Sequence, residues 1–306
     1  MVNVLLVLVG VILVPQCVTD LTRALRAVCP DLPLPDPRIV DSGFGSTVVD
    51  TGDGIIVRIG RTAGAARGHA VEAAVLPILA PMLPVAVPVP VCFCPPGPTL
   101  QFGAIGYRRL PGQPCRLATA TEATSRDLGA FLAALHRAEP RELPAMPGPD
   151  QVWRHWHDLR RDTEAALSDR MTASENRRLS LWWDRFLADR RMRHYRPAVR
   201  HGDLWYGNLL LCPGGTISAV LDWEDVAIAD PAQDLALARY LGPGLTQVML
   251  DVYRSQGGVC DRAVQHRIDR HWELRELTGI PLAMAAGDED ELRQCVAKLR
   301  AGPILG

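Results

Sequence analysis

The stretch RHGDLWYGNLLL, residues 200–211, sets an aspartate and an asparagine five positions apart between strand-like apolar flanks. A lone Asp or Asn at a strand end is accounted for by a turn or a cap. Asp203 and Asn208 have more around them. Fourteen residues after Asn208 comes Asp222, in VLDWEDV, and the pattern between them is apolar run, PGG turn, apolar run. A hairpin of that length carries Asp222 back toward Asn208. Two oxygen donors then converge.

A hard cation such as Mg²⁺ takes one or two protein oxygens and completes its shell with phosphate and water. Asn208 and Asp222 suit that role as metal ligands. Asp203 stands apart from them and can accept the proton of an attacking hydroxyl. Phosphoryl transfer needs this division of labour. His201 reads as a structural hydrogen-bonder supporting the loop, and Asp234, in ADPAQDLA, as a tie between that loop and the next helix. Trp205 and Tyr206 read as packing or loop residues.

The chain has 306 residues, 48% hydrophobic and 22% charged, with a formal net charge of −1. That length allows two lobes, and the near-neutral balance gives no general field for nucleic acid or membrane. Lys298 is the single lysine, so any cation needed earlier must be arginine. Eight scattered cysteines without ligand spacing argue against zinc and read as reduced thiols in a cytoplasmic protein. Residues 1–18 form an apolar leader with three readings: a buried element, a start placed too early, or a weak targeting signal. The domain proper is expected to open with Thr19 capping a helix.

Residues 19–110 read as a β-rich lobe. IVDSGFGSTVV and IIVRIG are two β-rich runs joined by the hairpin signal TGDG, GHAVEAAVLPIL is helical, and VAVPVPVCFC is a Pro-interrupted edge strand. Residues 111–306 read as mostly helical, beginning with SRDLGAFLAALHRAEP under a Ser125 cap. The fold class is therefore α+β.

HGDLWYGNLLL followed by VLDWEDVAIADPAQDLA resembles the aminoglycoside phosphotransferase and choline kinase family, the small-molecule branch of the protein-kinase-like fold. Gly202 stands where that family has Gly and protein kinases have Arg, and Asp222-Trp223 matches its metal motif. The resemblance covers roughly residues 19–303. It implies a two-lobe enzyme that transfers the γ-phosphoryl group of ATP, with Mg²⁺, to a hydroxyl of a small molecule. It also implies that Arg58, in IIVRIG, grips the α- and β-phosphates and that Glu72 on the next helix positions it. The 41–47 loop, with Gly43, Gly45 and Ser46, would cover the phosphates. The backbone around Arg109 and Leu110, in the interlobe linker, would meet adenine.

Acidic side chains near the catalytic loop would select a cationic acceptor. The candidates are Glu224, Asp225, Glu273 and Glu276, with Asp158 and Asp162. Three functions remain open on sequence: an antibiotic-resistance kinase acting on an amino sugar or related drug, a kinase of a metabolite such as an amino alcohol, homoserine-like molecule or ketosamine, and a non-catalytic nucleotide-binding regulator. No nucleic-acid or stable membrane partner is expected.

Overall fold

The computed structural model describes residues 17–42 and 45–306. The readings placed on the leader up to residue 16, and on Gly43, lie outside the described residues. Contacts divide the chain into two compact units, Met1–Ala66 with Val91–Arg108, and Arg67–Pro90 with Arg109–Gly306.

The smaller unit is built on a five-stranded sheet in the order β1-β2-β3-β5-β4. Its strands are β1 (Arg38–Ser42), β2 (Ser46–Asp50), β3 (Ile55–Gly60), β4 (Pro90–Cys94) and β5 (Ala104–Arg108). The first expected run is thus two strands, β1 and β2, paired antiparallel. The TGDG hairpin joins β2 to β3, with Gly52 at φ +82° and Gly54 at φ +73°. Proline-bearing β4 lies at the sheet edge, where a missing N–H costs no ladder bond. Helix α1 (Val18–Val28) buries Leu21 and Leu25, one turn apart, against Val49, Val57 and Ile59.

Two sequence expectations fail in this unit. Cys17, extended at φ −116°, precedes the first turn of α1, so Thr19 is already inside the helix and does not cap it. Cys29 and Cys94 are joined in a disulfide, so these two are not reduced thiols. The pairing was invisible in the spacing, because 65 residues separate the partners and the sheet edge brings them together.

The larger unit takes most of α2 (Ala63–Leu79), together with α3 (Glu122–Arg137), α4 (Pro149–Leu167) and α5 (Ala173–Ala188). β6 (Gln113–Pro114) precedes α3, and between α5 and the C-terminal helices run β7 (Ala198–Arg200), β8 (Leu209–Leu211), β9 (Ile217–Val220) and β10 (Ala227–Ala229). Then follow α6 (Ala232–Leu235), α7 (Ala238–Leu241), α8 (Pro243–Ser255), α9 (Val264–Ala286) and α10 (Glu289–Ala301). Strands β6, β8 and β9 form one small sheet, and β7 pairs with β10.

Helix α3 packs against β7, which leads into the 200–211 segment. Its Leu128, Phe131, Leu132 and Leu135 recur at helical spacing, and all are fully buried. The cap is Thr121, not Ser125. Thr121 and Thr124 exchange side-chain and backbone bonds in a capping box, which starts the helix one turn early. A second core joins α4, α5, α9 and α10 through Trp156, Trp182, Trp183 and Phe186. The acidic run at 287–292 does what its composition suggests: Asp288 caps α10 by accepting the Glu291 N–H at 2.9 Å.

Candidate active site

The segment holding Asp203 and Asn208 leaves β7 at Arg200 and re-enters a strand at Leu209. Gly202 makes the turn possible. It sits at φ +97°, and a Cβ there would come within 2.3 Å of Arg200 Nη1 and 2.4 Å of the Asp225 carbonyl oxygen. Asp234, on α6, accepts the backbone N–H of His201 on Oδ2 at 2.7 Å and that of Gly202 on Oδ1 at 2.9 Å. Gln233 donates to the Gly202 carbonyl at 2.6 Å. The loop is held on both its N–H and C=O sides.

Histidine 201 is fully buried, and its tautomer follows from its neighbours. Nε2 lies 2.9 Å from the Leu221 carbonyl, which can only accept, so Nε2 carries the proton. Nδ1 is then free to accept the Asp203 N–H at 3.3 Å. Burial pushes the His201 pKa down, which keeps this neutral form. The ring ties β9's exit to the start of the loop and packs 4.7 Å from Trp223. It is a brace, with both nitrogens engaged.

Beneath Asp234 lies His136, which donates from Nε2 to Oδ2 at 3.2 Å while its Nδ1 meets the Tyr253 hydroxyl at 2.8 Å. Burial would raise the Asp234 pKa, but the His136 bond and charge, with the field of Arg200, hold it at about 2. Sequence reading missed His136 and Tyr253, since each alone is an ordinary helical residue.

Asp203 faces solvent at the end of this clamp. Desolvation by the surrounding atoms, then the negative charges of Asp225 and Asp222, push its carboxyl up to about 6. Asn208 donates from Nδ2 to the Asp203 carbonyl at 2.8 Å, and that amide nitrogen lies 3.5 Å from Asp203 Oδ2. This fixes the amide so that its Oδ1 remains as a donor oxygen. The β8–β9 hairpin returns the chain beside it: the Leu221 N–H bonds to the Asn208 carbonyl at 2.8 Å.

Asp222 therefore stands one residue from a direct backbone bond to Asn208. Its φ of +63° is the single left-handed value outside glycine among the described residues. Such a conformation in a non-glycine residue stores strain and concentrates at functional sites. Carboxylate oxygens of Asp222, Glu72 and Glu224 all lie within 4.8 Å of one another. This donor set is entirely hard oxygen, and with Asn208 Oδ1 it fits Mg²⁺ far better than a softer metal.

Glu224 thus lies beside Asp222 and Glu72. The spacing Asp-x-Glu after the hairpin was its signal. The other proposed acceptor acids are also mostly engaged. Glu273 is buried and accepts the Trp182 indole N–H at 2.8 Å, with Arg270 on its second oxygen. Glu276 pairs with Arg275 at 2.5 Å. Asp158 and Asp162 share Arg161 at 2.7 and 2.9 Å. Asp225 is exposed, has no partner among the described residues, and acts on Asp203.

In the smaller unit, Arg58 lies on β3, half-buried, opposite Val48 and Ile105. Ser46 opens β2 and is buried, and the Gly45 carbonyl accepts the Arg61 N–H at 2.8 Å. Arg109 and Leu110 open the linker of the larger unit, where Ser218 anchors the Pro111 carbonyl at 2.6 Å.

The profile of the phosphotransferase enzyme family (APH) matches residues 36–267. The chain belongs to that family. Its sequence is 28% identical over 217 residues to viomycin phosphotransferase of Streptomyces vinaceus, covering 65% of this chain and 73% of that one. Among solved structures, the GDP and kanamycin complex of APH(2")-IIia is similar at a TM-score of 0.78, with 18% identity over 92% of this chain and 97% of that chain. The macrolide 2'-phosphotransferase MphH from Brachybacterium faecium is similar at 0.63, with 25% identity over 87% and 92%. The fold is the protein-kinase-like α+β fold, and the protein is a phosphotransferase with an alcohol group as acceptor. No helix among the described residues is long and apolar enough to cross a membrane.

Proposed function

We propose that this enzyme transfers the γ-phosphoryl group of ATP to a hydroxyl of a small cationic antibiotic. The observation that carries the reading is the carboxylate of Asp225, exposed to solvent and near enough to Asp203 for its charge to raise that group's pKa. It favours an acceptor bearing amino or guanidino groups next to the reacting hydroxyl. The viomycin phosphotransferase relative adds support for an antibiotic.

Asp203 orients the acceptor O–H and takes its proton as the oxygen attacks the γ-phosphorus; the bond to the bridging oxygen breaks and ADP leaves. Asn208 and Asp222, with Glu224 close by, would hold Mg²⁺, which when bound neutralises the charge on the phosphates. Arg58 is assigned to the α- and β-phosphates. Gly45 and Ser46 are assigned to the phosphate-covering loop, and the backbone at Arg109 and Leu110 to the adenine. Asp234 and His201 keep Asp203 at its station.

The test is an ADP-release panel of viomycin, kanamycin, a macrolide, choline and homoserine, each with ATP or GTP and Mg²⁺. The expected result is turnover of at least one antibiotic above choline and homoserine. Asp203→Asn should lose about a thousandfold in kcat while still binding nucleotide. Turnover confined to choline or homoserine would overturn the antibiotic reading, and near-normal turnover in the variant would overturn the base.

A further inference from the structure

Of seven tryptophans, Trp205 alone is exposed, at 40%, and the other six are buried or half-buried. It follows the base Asp203 by two residues. Its ring is nevertheless held in place. The indole lies across Gly207, where an added Cβ would come within 2.4 to 2.7 Å of three ring carbons. Its edge meets Tyr206 at 5.0 Å, Tyr206 meets Tyr240 at 5.3 Å, and Tyr240 meets Trp272 at 4.7 Å. The Arg275 guanidinium closes the series 3.3 Å above the Trp272 ring. Each ring–ring contact is edge-on, a preferred geometry for aromatic pairs.

An exposed indole braced by a line of rings is rigid before anything binds, so binding to it loses little side-chain entropy. We infer that Trp205 is a specificity-determining residue of the acceptor site, its indole face receiving a cationic amino or guanidino group of the acceptor. The inference rests on the proposed function for its setting. A cation is drawn to the negative face of the ring, as a neutral group is not. Gly207 is part of the device, since any larger residue would lift the indole off the loop.

Spermidine, a polyamine with no hydroxyl, serves as the probe. In ¹⁵N-indole NMR spectra, the Trp205 signal, assigned by its loss in Trp205→Phe, should move saturably as spermidine is added. The apparent affinity should fall about three- to thirtyfold in Trp205→Ala and less in Trp205→Phe. Gly207→Ala should match the alanine variant. In steady state, Trp205→Ala should raise KM for the best antibiotic of the panel by a similar factor and leave KM for nucleotide unchanged. A Trp205 signal that stays put, or unaltered spermidine affinity in Trp205→Ala, overturns the inference. Because spermidine cannot be phosphorylated on oxygen, these readouts decide the matter independently of turnover. A panel with no turnover sinks the functional reading alone.

Discussion

Asp234 and His201, 33 positions apart in the chain, are joined by a 2.7 Å bond from the His201 backbone N–H to the Asp234 carboxylate. The carboxylate's other oxygen takes the next N–H, of Gly202, at 2.9 Å. Two consecutive N–H groups preceding Asp203 are thereby fixed by one buried side chain. In Asp234→Asn, one of those N–H groups or the His136 Nε2–H must face an amide N–H₂. The expected loss is about 3 kcal/mol of stability, read from urea denaturation, because a buried charged partner is removed. Displacement of the loop by about 1 Å should reduce kcat about a hundredfold, beyond the loss of folded protein. Unchanged kcat in the folded fraction would show that Asp234 supports the fold alone.

The same carboxylate sets a pH signature. Its folded pKa, about 2, lies below the ordinary 3.8. The stabilisation is therefore present in full above about pH 4 and is lost as pH falls through about 2. Asp189, held at about 2 mainly by its hydrogen bond from Arg191, contributes acid sensitivity of the same sign. Comparison of wild type with Asp234→Asn isolates the first contribution. The gap between their urea midpoints should be constant from pH 7 to about 4 and close toward pH 2. A gap that stays constant down to pH 2 would refute the assignment.

How far the sequence could be read depended on whether partners were local. The return of the backbone from Asn208 to Leu221, next to Asp222, was legible because a short hairpin joins them and its PGG turn is explicit. Alternating IIVRIG gave β3 and the helical spacing in GAFLAALH gave α3 for the same reason. Capping was less legible: Thr121 and Ser125 both precede apolar periodicity, and only the reciprocal bond from Thr124 decides between them. Contacts across the fold were not legible at all. Nothing in the sequence around His136 or Tyr253 points to Asp234, and Cys29 gives no hint of Cys94. Glu273 could not be separated from a substrate acid until Trp182 and Arg270 were seen on its oxygens.

The Cys29–Cys94 disulfide yields a prediction from loop length. It closes a 65-residue span between the end of α1 and the edge strand β4. Cross-linking a loop of that size restricts the unfolded chain by about 4 kcal/mol. Reduction with dithiothreitol, or Cys29→Ser with Cys94→Ser, should lower the thermal midpoint of the smaller unit. Mass spectrometry of the non-reduced, alkylated protein should find these two cysteines unmodified and the exposed Cys17, Cys212 and Cys260 labelled. Alkylation of Cys29 and Cys94 without reduction would remove the disulfide from the account.

Gly68, on α2, offers the sharpest test of the carboxylate cluster. A Cβ at this position would come within 2.5 Å of Glu224 Cβ and 3.1 Å of the Glu224 carbonyl oxygen. Neither atom is the end of a flexible side chain, so α2 and the Asp222–Glu224 segment would have to separate. Overpacking of this kind costs about 1 to 3 kcal/mol. Its functional effect should be larger, since Glu72 rides on the same helix four residues on and would be drawn away from Asp222 and Glu224. Gly68→Ala should therefore raise the Mg²⁺ concentration needed for half-maximal activity by about ten- to a hundredfold. Gly244→Ala, at a helical glycine with nothing within 4 Å, is the control and should leave the metal requirement unchanged. A Gly68→Ala enzyme with normal magnesium dependence would mean that Glu72 and Glu224 take no part in holding the ion.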